Sequence, residues 1–434
     1  MKPRKPPIEA DRQGDIFKVL LEDIIDMKHE LVRLAGYIPW ADFDREFGAL
    51  YQADRGRPAE PTRLLVGLHY LKESSNLSDE RTIKVWTENP YWQYFCGMKY
   101  FEHRVPVDPS QMTRWRKKVG EAGVEKLLAG TVRAALDMKA LRPQSFQKVN
   151  VDTTVQEKAI HYPTDARLYY DMREKLVRMA EANGVELRQS YVRLGKGALF
   201  QVGRYTHARQ MKRAAKKIRK LRTYLGCVAR DIERKIEGDG ERQEVFRGAL
   251  ALAGRVMAQK RTDSKKVYSV HAPEVECISK GKSHKKYEFG VKVSIATTSR
   301  EGIVIGMRSL PGNPYDGHTL SGSIAQAQRI IARELEGDVF VDNGYKGHDY
   351  DGCATVHIVG RIKRKIQDAM GRWEKRRAAV EPEIGHLKND GRLGRNYLLG
   401  ALGDTLNALL CGSGQNLRKL LAFLSGRPAL AAHV

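Results

Sequence analysis

The sequence predicts an α/β protein whose helices come first and whose sheet comes later. Three observations carry that expectation. The first 140 residues place apolar side chains at helical spacing, as in Leu64, Leu65, Leu68 and Leu71. Residues 287–307 alternate instead: Tyr287, Phe289, Val291, Val293 and Ile295, a turn over Thr298–Gly302, then Ile303, Ile305 and Met307. Two short runs, Val149-Asn150-Val151-Asp152 and Val339-Phe340-Val341-Asp342, read as buried strands that each end in a carboxylate.

Taken in order, residues 1–15 are rich in proline and charge and are expected to form a disordered arm. Residues 16–140 are expected to be an all-α DNA-binding domain. Two prolines, Pro58 and Pro61, precede the Leu64 helix, Ser78 before Asp79 and Glu80 suits a helix cap, and Asp108-Pro109 supplies a cap with a first-turn proline. The helix begun at Pro109 carries Arg114, Arg116, Lys117 and Lys118 around Trp115, which fits either a recognition helix or a solvated basic face.

A strand over Phe146–Glu157 follows, and the pattern then changes to long polar helices over about 162–262. No acid occurs between Glu186 and Asp231, whereas thirteen Lys or Arg do, among them Lys212, Arg213, Lys216, Lys217, Arg219 and Lys220. Such a run is ordinarily a solvated face, but one sign of charge over this length favours nearby phosphates. Beyond the hairpin come a helix over Thr319–Leu335, strands at Asp338–Asp342 and Thr355–Val359, a basic Arg361–Lys365 segment, a helix around Glu381, and an apolar helical stretch, Tyr397–Phe423, expected to cover the sheet. With the helical block set aside as an insertion, the element order of residues 141–434 is that of a ribonuclease H-like fold. In that layout Asp152 and Asp342 lie on neighbouring central strands.

Bulk composition narrows the partners. A net charge of +24 over 434 residues favours a polyanion, since neutralised phosphates release counterions. Five cysteines without C-x-x-C spacing suggest neither a disulfide framework nor a zinc site, and fit a reducing cytoplasm. Neither a signal peptide nor a membrane span is read from the sequence.

The segment WEKRRAAVEPEIGHLK, Trp373–Lys388, completes the candidate site. On a helix, Arg377, Glu381 and Lys388 would share a face, a carboxylate flanked by two cations. Pro382 disfavours helical backbone at Glu381, so the helix is expected to kink or restart there, and Glu383 stays a rival for the third acid. Three carboxylates with water suit Mg²⁺ or Mn²⁺, and two such ions about 3.5–4 Å apart can activate a water and stabilise a leaving oxygen of a phosphodiester. Asp316 and His318 read either as auxiliary groups or as a loop cap, and Asn343-Gly344-Tyr345 either as a metal loop or as an Asx-Gly turn.

These pieces together resemble the DDE transposases of bacterial insertion sequences, in the insertion-sequence-five group related to the insertion-sequence-four group. The resemblance rests on VNVDTTVQEKAIHYPTDA, HAPEVECISKGKSHKKYEFGVKV, VFVDNGYKGHD and RRAAVEPEIGHLK, and covers nearly the whole chain. Of the Y-x2-R-x3-E-x6-K pattern in related transposases, Arg377, Glu381 and Lys388 fall in register, while Glu374 stands at the tyrosine position with Trp373 beside it. The resemblance implies hydrolysis at terminal inverted repeats and attack of the freed 3′-OH on target DNA. It implies that Asp152 bridges two Mg²⁺ (or Mn²⁺) ions completed by Asp342 and Glu381, with Arg377 and Lys388 on the DNA backbone or orienting Glu381. It further implies double-stranded DNA as partner and at least a homodimer on paired ends, in the bacterial cytoplasm with the nucleoid. The alternative is a catalytically silent DNA-binding derivative of such an enzyme.

Overall fold

The computed structural model describes residues 19–51, 59–279, 285–359, 373 and 376–426. The expected N-terminal arm, the Arg361–Lys365 segment and Glu374 lie outside them. The chain divides into two compact units, residues 1–157 with 291–434, and residues 158–290.

In the first unit, helices α1 (Leu21–Ile24), α2 (Glu30–Ala35), α3 (Trp40–Gly48), α4 (Thr62–Ser74), α5 (Asp79–Glu88), α6 (Pro90–Phe95) and α7 (Pro109–Asp137) precede the first strand. Their starts follow local chemistry. Ser78 accepts a hydrogen bond from the Arg81 N–H, and Asp108 accepts one from the Ser110 N–H ahead of Pro109, whose missing N–H costs nothing in a first turn. Gly120 breaks the α7 geometry with φ 63°, so the segment is two helices meeting at a kink.

Strands β1 (Lys148–Glu157), β3 (Tyr287–Thr298), β4 (Val304–Leu310), β5 (Asp338–Val341) and β6 (Thr355–Ile358) form a sheet ordered β4-β3-β1-β5-β6. The β3–β4 hairpin is antiparallel with an irregularity at Ala296/Thr297, and β5 is parallel to both β1 and β6. Parallel central strands are buried on both faces, which is why Val149, Val151, Val339, Phe340 and Val341 read as near-continuous apolar runs. Between β4 and β5 lies α12 (Leu320–Ile331), closed by Ala332 at φ 52°.

After β6, α13 (Val380–Asn389) and α14 (Gly400–Leu424) end the described chain. Buried α14 packs on α4, α7 and β4. One polar residue registers it there: Asn416 donates to Thr131 Oγ1 and to the Val304 carbonyl and accepts from the Val304 N–H. A single apolar core therefore runs from Leu31 through α7 and the sheet to Leu424.

The second unit holds α8 (Asp165–Ala182), α9 (Val192–His207), α10 (Met211–Lys235) and α11 (Gly240–Ala258), which bury Met172, Leu176, Leu225, Val228, Ile232 and Phe246 in a core of their own. It also holds β2 (Glu276–Ser279), absent from the sequence expectation, paired antiparallel with Tyr287–Gly290.

Candidate functional site

The β1–β5 register pairs Lys148 with Asp338, Val149 with Val339 and Asn150 with Phe340. Continued by two residues, it sets Asp152 opposite Asp342. Asp152 is buried in the middle of β1 rather than at its end, and its Oδ1 accepts from the Thr153 N–H at 2.7 Å. Asp342 follows the last residue of β5 and accepts from the Gly344 N–H at 2.9 Å, so Asn343–Tyr345 forms a short 3₁₀ turn capped by this carboxylate.

One guanidinium joins the two acids. Arg377 Nη2 lies 2.8 Å from Asp152 Oδ2 and 3.8 Å from Asp342 Oδ2. Those two oxygens are therefore at most about 6.6 Å apart, the two legs laid end to end. The site already brackets a positive charge with hard oxygen donors, the donor type that Mg²⁺ and Mn²⁺ take. A divalent ion at this pair would compete with Arg377.

A third carboxylate, Asp316, sits beside the pair. Its Oδ1 accepts from Thr153 Oγ1 and Lys292 Nζ, both at 3.0 Å. Gly344 lies between it and Asp342: a Cβ there would stand 2.9 Å from Asp342 Oδ1 and 3.1 Å from Asp316 Oδ2. The buried Tyr345 phenol has its pKa pushed well above 10, by burial first and then by Asp152, Asp316 and Asp342. It remains a neutral hydroxyl next to three acids. His318 is exposed and packs edge-on against Tyr315. Sequence reading left Asp316 open between an auxiliary group and a loop cap, and it missed Lys292, whose signal was the lone cation of β3, set between Val291 and Val293.

Glu381 is placed differently from the pair. Residues 378 and 379 leave the helix and α13 restarts at Val380, so Arg377 and Glu381 do not share a continuous helix face. The kink or restart expected at Glu381 itself falls instead at residues 378 and 379; Glu381 is helical, with Pro382 in the first turn of α13, where its missing N–H costs nothing. Glu381 is exposed, whereas Val380, Glu383 and Leu387 face inward. Among the described residues no three His, Cys, Asp or Glu side chains gather closely enough to hold a metal ion. Glu383, the rival third acid, has another task. It is 5% exposed, with Lys419 Nζ at 2.6 Å and Gln415 Nε2 at 2.9 Å. Its ion pair fastens α13 to α14.

The basic residues also separate. Arg114, Lys117 and Lys118 are exposed, and Lys118 Nζ lies 3.5 Å from the centroid of the Tyr51 ring. Arg116 is not on that surface: it is 3% exposed, with Asp79 Oδ2 at 2.7 Å and His69 Nε2 at 3.3 Å. Spacing explains the correction, because Met112, Trp115, Arg116 and Val119 fall on one helical stripe and all are buried. On α10, Lys212, Arg213, Lys216, Arg219 and Lys220 are exposed and Lys217 is half-buried, opposite the stripe of Ala214, Leu221 and Leu225. Lys388 is half-buried on α13.

Comparison with known proteins identifies two domains along the chain. The family described as "Transposase domain (DUF772)" matches residues 19–118, and "Transposase DDE domain" matches residues 260–411, a span that holds Asp316, Asp342 and Glu381 but not Asp152. A Rhizobium meliloti protein named "Uncharacterized protein ORF8 in nfe locus" is 53% identical over 210 residues, 48% of this chain and all of that relative. No solved structure matches. Two transposase domains in this order, on a chain whose sheet brings two strand carboxylates together, show that it belongs to the DDE transposases of insertion sequences, enzymes of DNA recombination in mobile elements.

Proposed function

We propose that this transposase cleaves DNA at the terminal inverted repeats of its element and joins the freed 3′-OH ends to target DNA. The observation that carries the reading is the Asp152–Asp342 pair on adjacent strands, sharing Arg377. Asp152 and Asp342 would hold divalent metal, Mg²⁺ or Mn²⁺, with Glu381 as the third acid. Two such ions, once bound, activate the attacking oxygen and neutralise charge on the leaving one. With metal on the carboxylates, Arg377 would be free to hold a DNA phosphate, a charge-assisted contact that would fix the strand without supplying chemistry.

The fold supports the same reading. A sheet ordered β4-β3-β1-β5-β6, with β4 antiparallel to β3 and β5 parallel to its neighbours, is that of a ribonuclease H-like core. The α8–α11 block would be its helical insertion, with α10 offering exposed cations to DNA, and α1–α7 would form the N-terminal DNA-binding part. Pairing of two element ends calls for at least a dimer. No helix among the described residues is long and apolar enough to cross a membrane, and we assign the reaction to the bacterial cytoplasm.

The test is incubation of the purified chain with Mg²⁺ or Mn²⁺ and duplex carrying the element's ends. Nicked ends and joined products are expected from the wild type and from neither Asp152→Asn nor Asp342→Asn. DNA binding that survives in those variants, with no product from the wild type under any divalent metal, would assign the chain to the silent derivative instead.

A further inference from the structure

We propose that the groove lined by Lys139, Arg142, Lys148, Arg300 and Trp373 binds the phosphate backbone of duplex DNA beside the acid pair. The inference rests on the proposed function and adds to it where the substrate runs.

The groove encloses about 550 Å³ and its one acidic lining residue is Glu301. That carboxylate is half-buried and its Oε1 already accepts from Ser145 Oγ at 2.8 Å. Lys148 is paired with Asp338 at 2.6 Å. The exposed Lys139, Arg142 and Arg300 have no acidic partner among the described residues. Lys139 moreover adopts φ 61° just past the end of α7, a backbone that glycine ordinarily takes. A lysine kept there adds a cation to the groove at the cost of local strain.

The position of the groove is set by β1. Lys148, Asn150 and Asp152 alternate along the strand and so face one side of the sheet. Trp373, Arg376 and Arg377 lie along that side. Lys148 Nζ stands 5.0 Å from the Trp373 ring centroid, Asn150 Nδ2 reaches the Arg376 carbonyl at 3.5 Å, and Arg377 holds Asp152. Asn150 Oδ1 also accepts from Ser299 Oγ at 2.7 Å, which ties the turn carrying Arg300 to the same strand. Four strand residues span about 13 Å. With one phosphate per about 3.4 Å of duplex axis on each strand, that places the groove about four base-pair steps from the acids. Arg376, over the other approach to Trp373 at 5.5 Å, continues the positive track. A polyanion of fixed phosphate spacing, running from groove to acids, is the ligand this layout suits.

The test is the salt dependence of binding to a short duplex, read by fluorescence anisotropy on the full chain. Each lost phosphate contact lowers the slope of log affinity against log salt by about 0.9, so Lys139→Gln/Arg142→Gln/Arg300→Gln should lower it by about 2.7. The charge-preserving set Lys139→Arg/Arg142→Lys/Arg300→Lys should keep the wild-type slope. A folded triple variant with unchanged slope overturns the groove while leaving the proposed function standing. A wild-type chain that binds no duplex at any salt sinks the proposed function itself. Should the triple variant unfold, Arg300→Gln alone, on an exposed turn, must lower the slope by about 0.9 or the inference fails. Equal competition by polyglutamate would assign the groove to an acidic protein and also overturn it.

Discussion

Arg377 Nη2 lies 2.8 Å from Asp152 Oδ2, and the same nitrogen is the only described cation placed between that acid and Asp342. Two carboxylates this close repel unless a positive charge stands with them. Arg377→Gln should therefore lower thermal stability in chelator, on the order of 1–3 kcal/mol, because the two acids lose the guanidinium they share. Mn²⁺ should restore that loss and bind the variant more tightly than the wild type, as titration calorimetry would show. Melting curves that coincide in chelator, or equal Mn²⁺ affinity, would remove the guanidinium from any competition with metal.

Glu381 and Glu383 are two residues apart and should fail in opposite ways. Removing the Glu383 charge strands Lys419, which is 10% exposed, so Glu383→Gln is expected to destabilise the fold by about 3–5 kcal/mol. Gly302, at φ 64° with Glu383 Oε1 only 2.6 Å from where its Cβ would be, shows how tightly that carboxylate is housed. Glu381→Gln should melt like the wild type yet give no DNA cleavage. Paired melting and cleavage assays separate the two, and a fully active Glu381→Gln would strip that residue of the proposed role.

How far the sequence was legible follows the same physics. Alternation in β3 and β4, apolar runs in β1 and β5, and the caps at Ser78 and Asp108 are local signals, and each element formed where its signal stood. Asp152 and Asp342 could be placed side by side because element order constrains a parallel sheet. What depends on long-range packing was not legible: β2, which exists through its pairing with Tyr287–Gly290, the Lys292–Asp316 pair, and the groove at the start of β1. Arg116 was misread although its signal was present, since a helical stripe containing Met112, Trp115 and Val119 buries whatever stands between them.

That correction has its own consequence on α7. Arg116→Ala leaves Asp79 and Lys72 with an incomplete buried network and should cost about 3–5 kcal/mol. Arg114→Ala and Lys117→Ala, on the exposed face, should shift stability by no more than about 0.5 kcal/mol. If that face meets DNA, each would lower the salt slope of binding by about 0.9. Denaturant unfolding alongside salt titration decides it, and an Arg116→Ala protein as stable as the wild type would return that residue to the surface list.

The same network makes the helical part acid-sensitive. His69 is fully buried with its pKa held down to about 3, by burial first and then by Arg116, while its bond to the Leu65 carbonyl pulls the other way. Because the Leu65 carbonyl at 2.7 Å needs a donor, Nδ1 carries the proton and Nε2 accepts from Arg116. In the unfolded chain this histidine takes a proton near pH 6.5, and in the folded chain it does not until about pH 3. The unfolded state then binds more protons across that window, so stability is full above pH 6.5 and falls as pH drops toward 3. Asp79 acts through the carboxylate range and below it: burial raises its pKa, but Arg116 and Lys72 more than offset this and hold it down, so its contribution, full above about pH 3.8, is lost as pH falls from there toward the depressed folded value. His69→Gln should remove the loss between pH 6.5 and about 3, on the order of a few kcal/mol, and leave the lower limb in place. Parallel wild-type and variant curves through that window, followed by circular dichroism, would mean that the imidazole titrates freely in the folded chain.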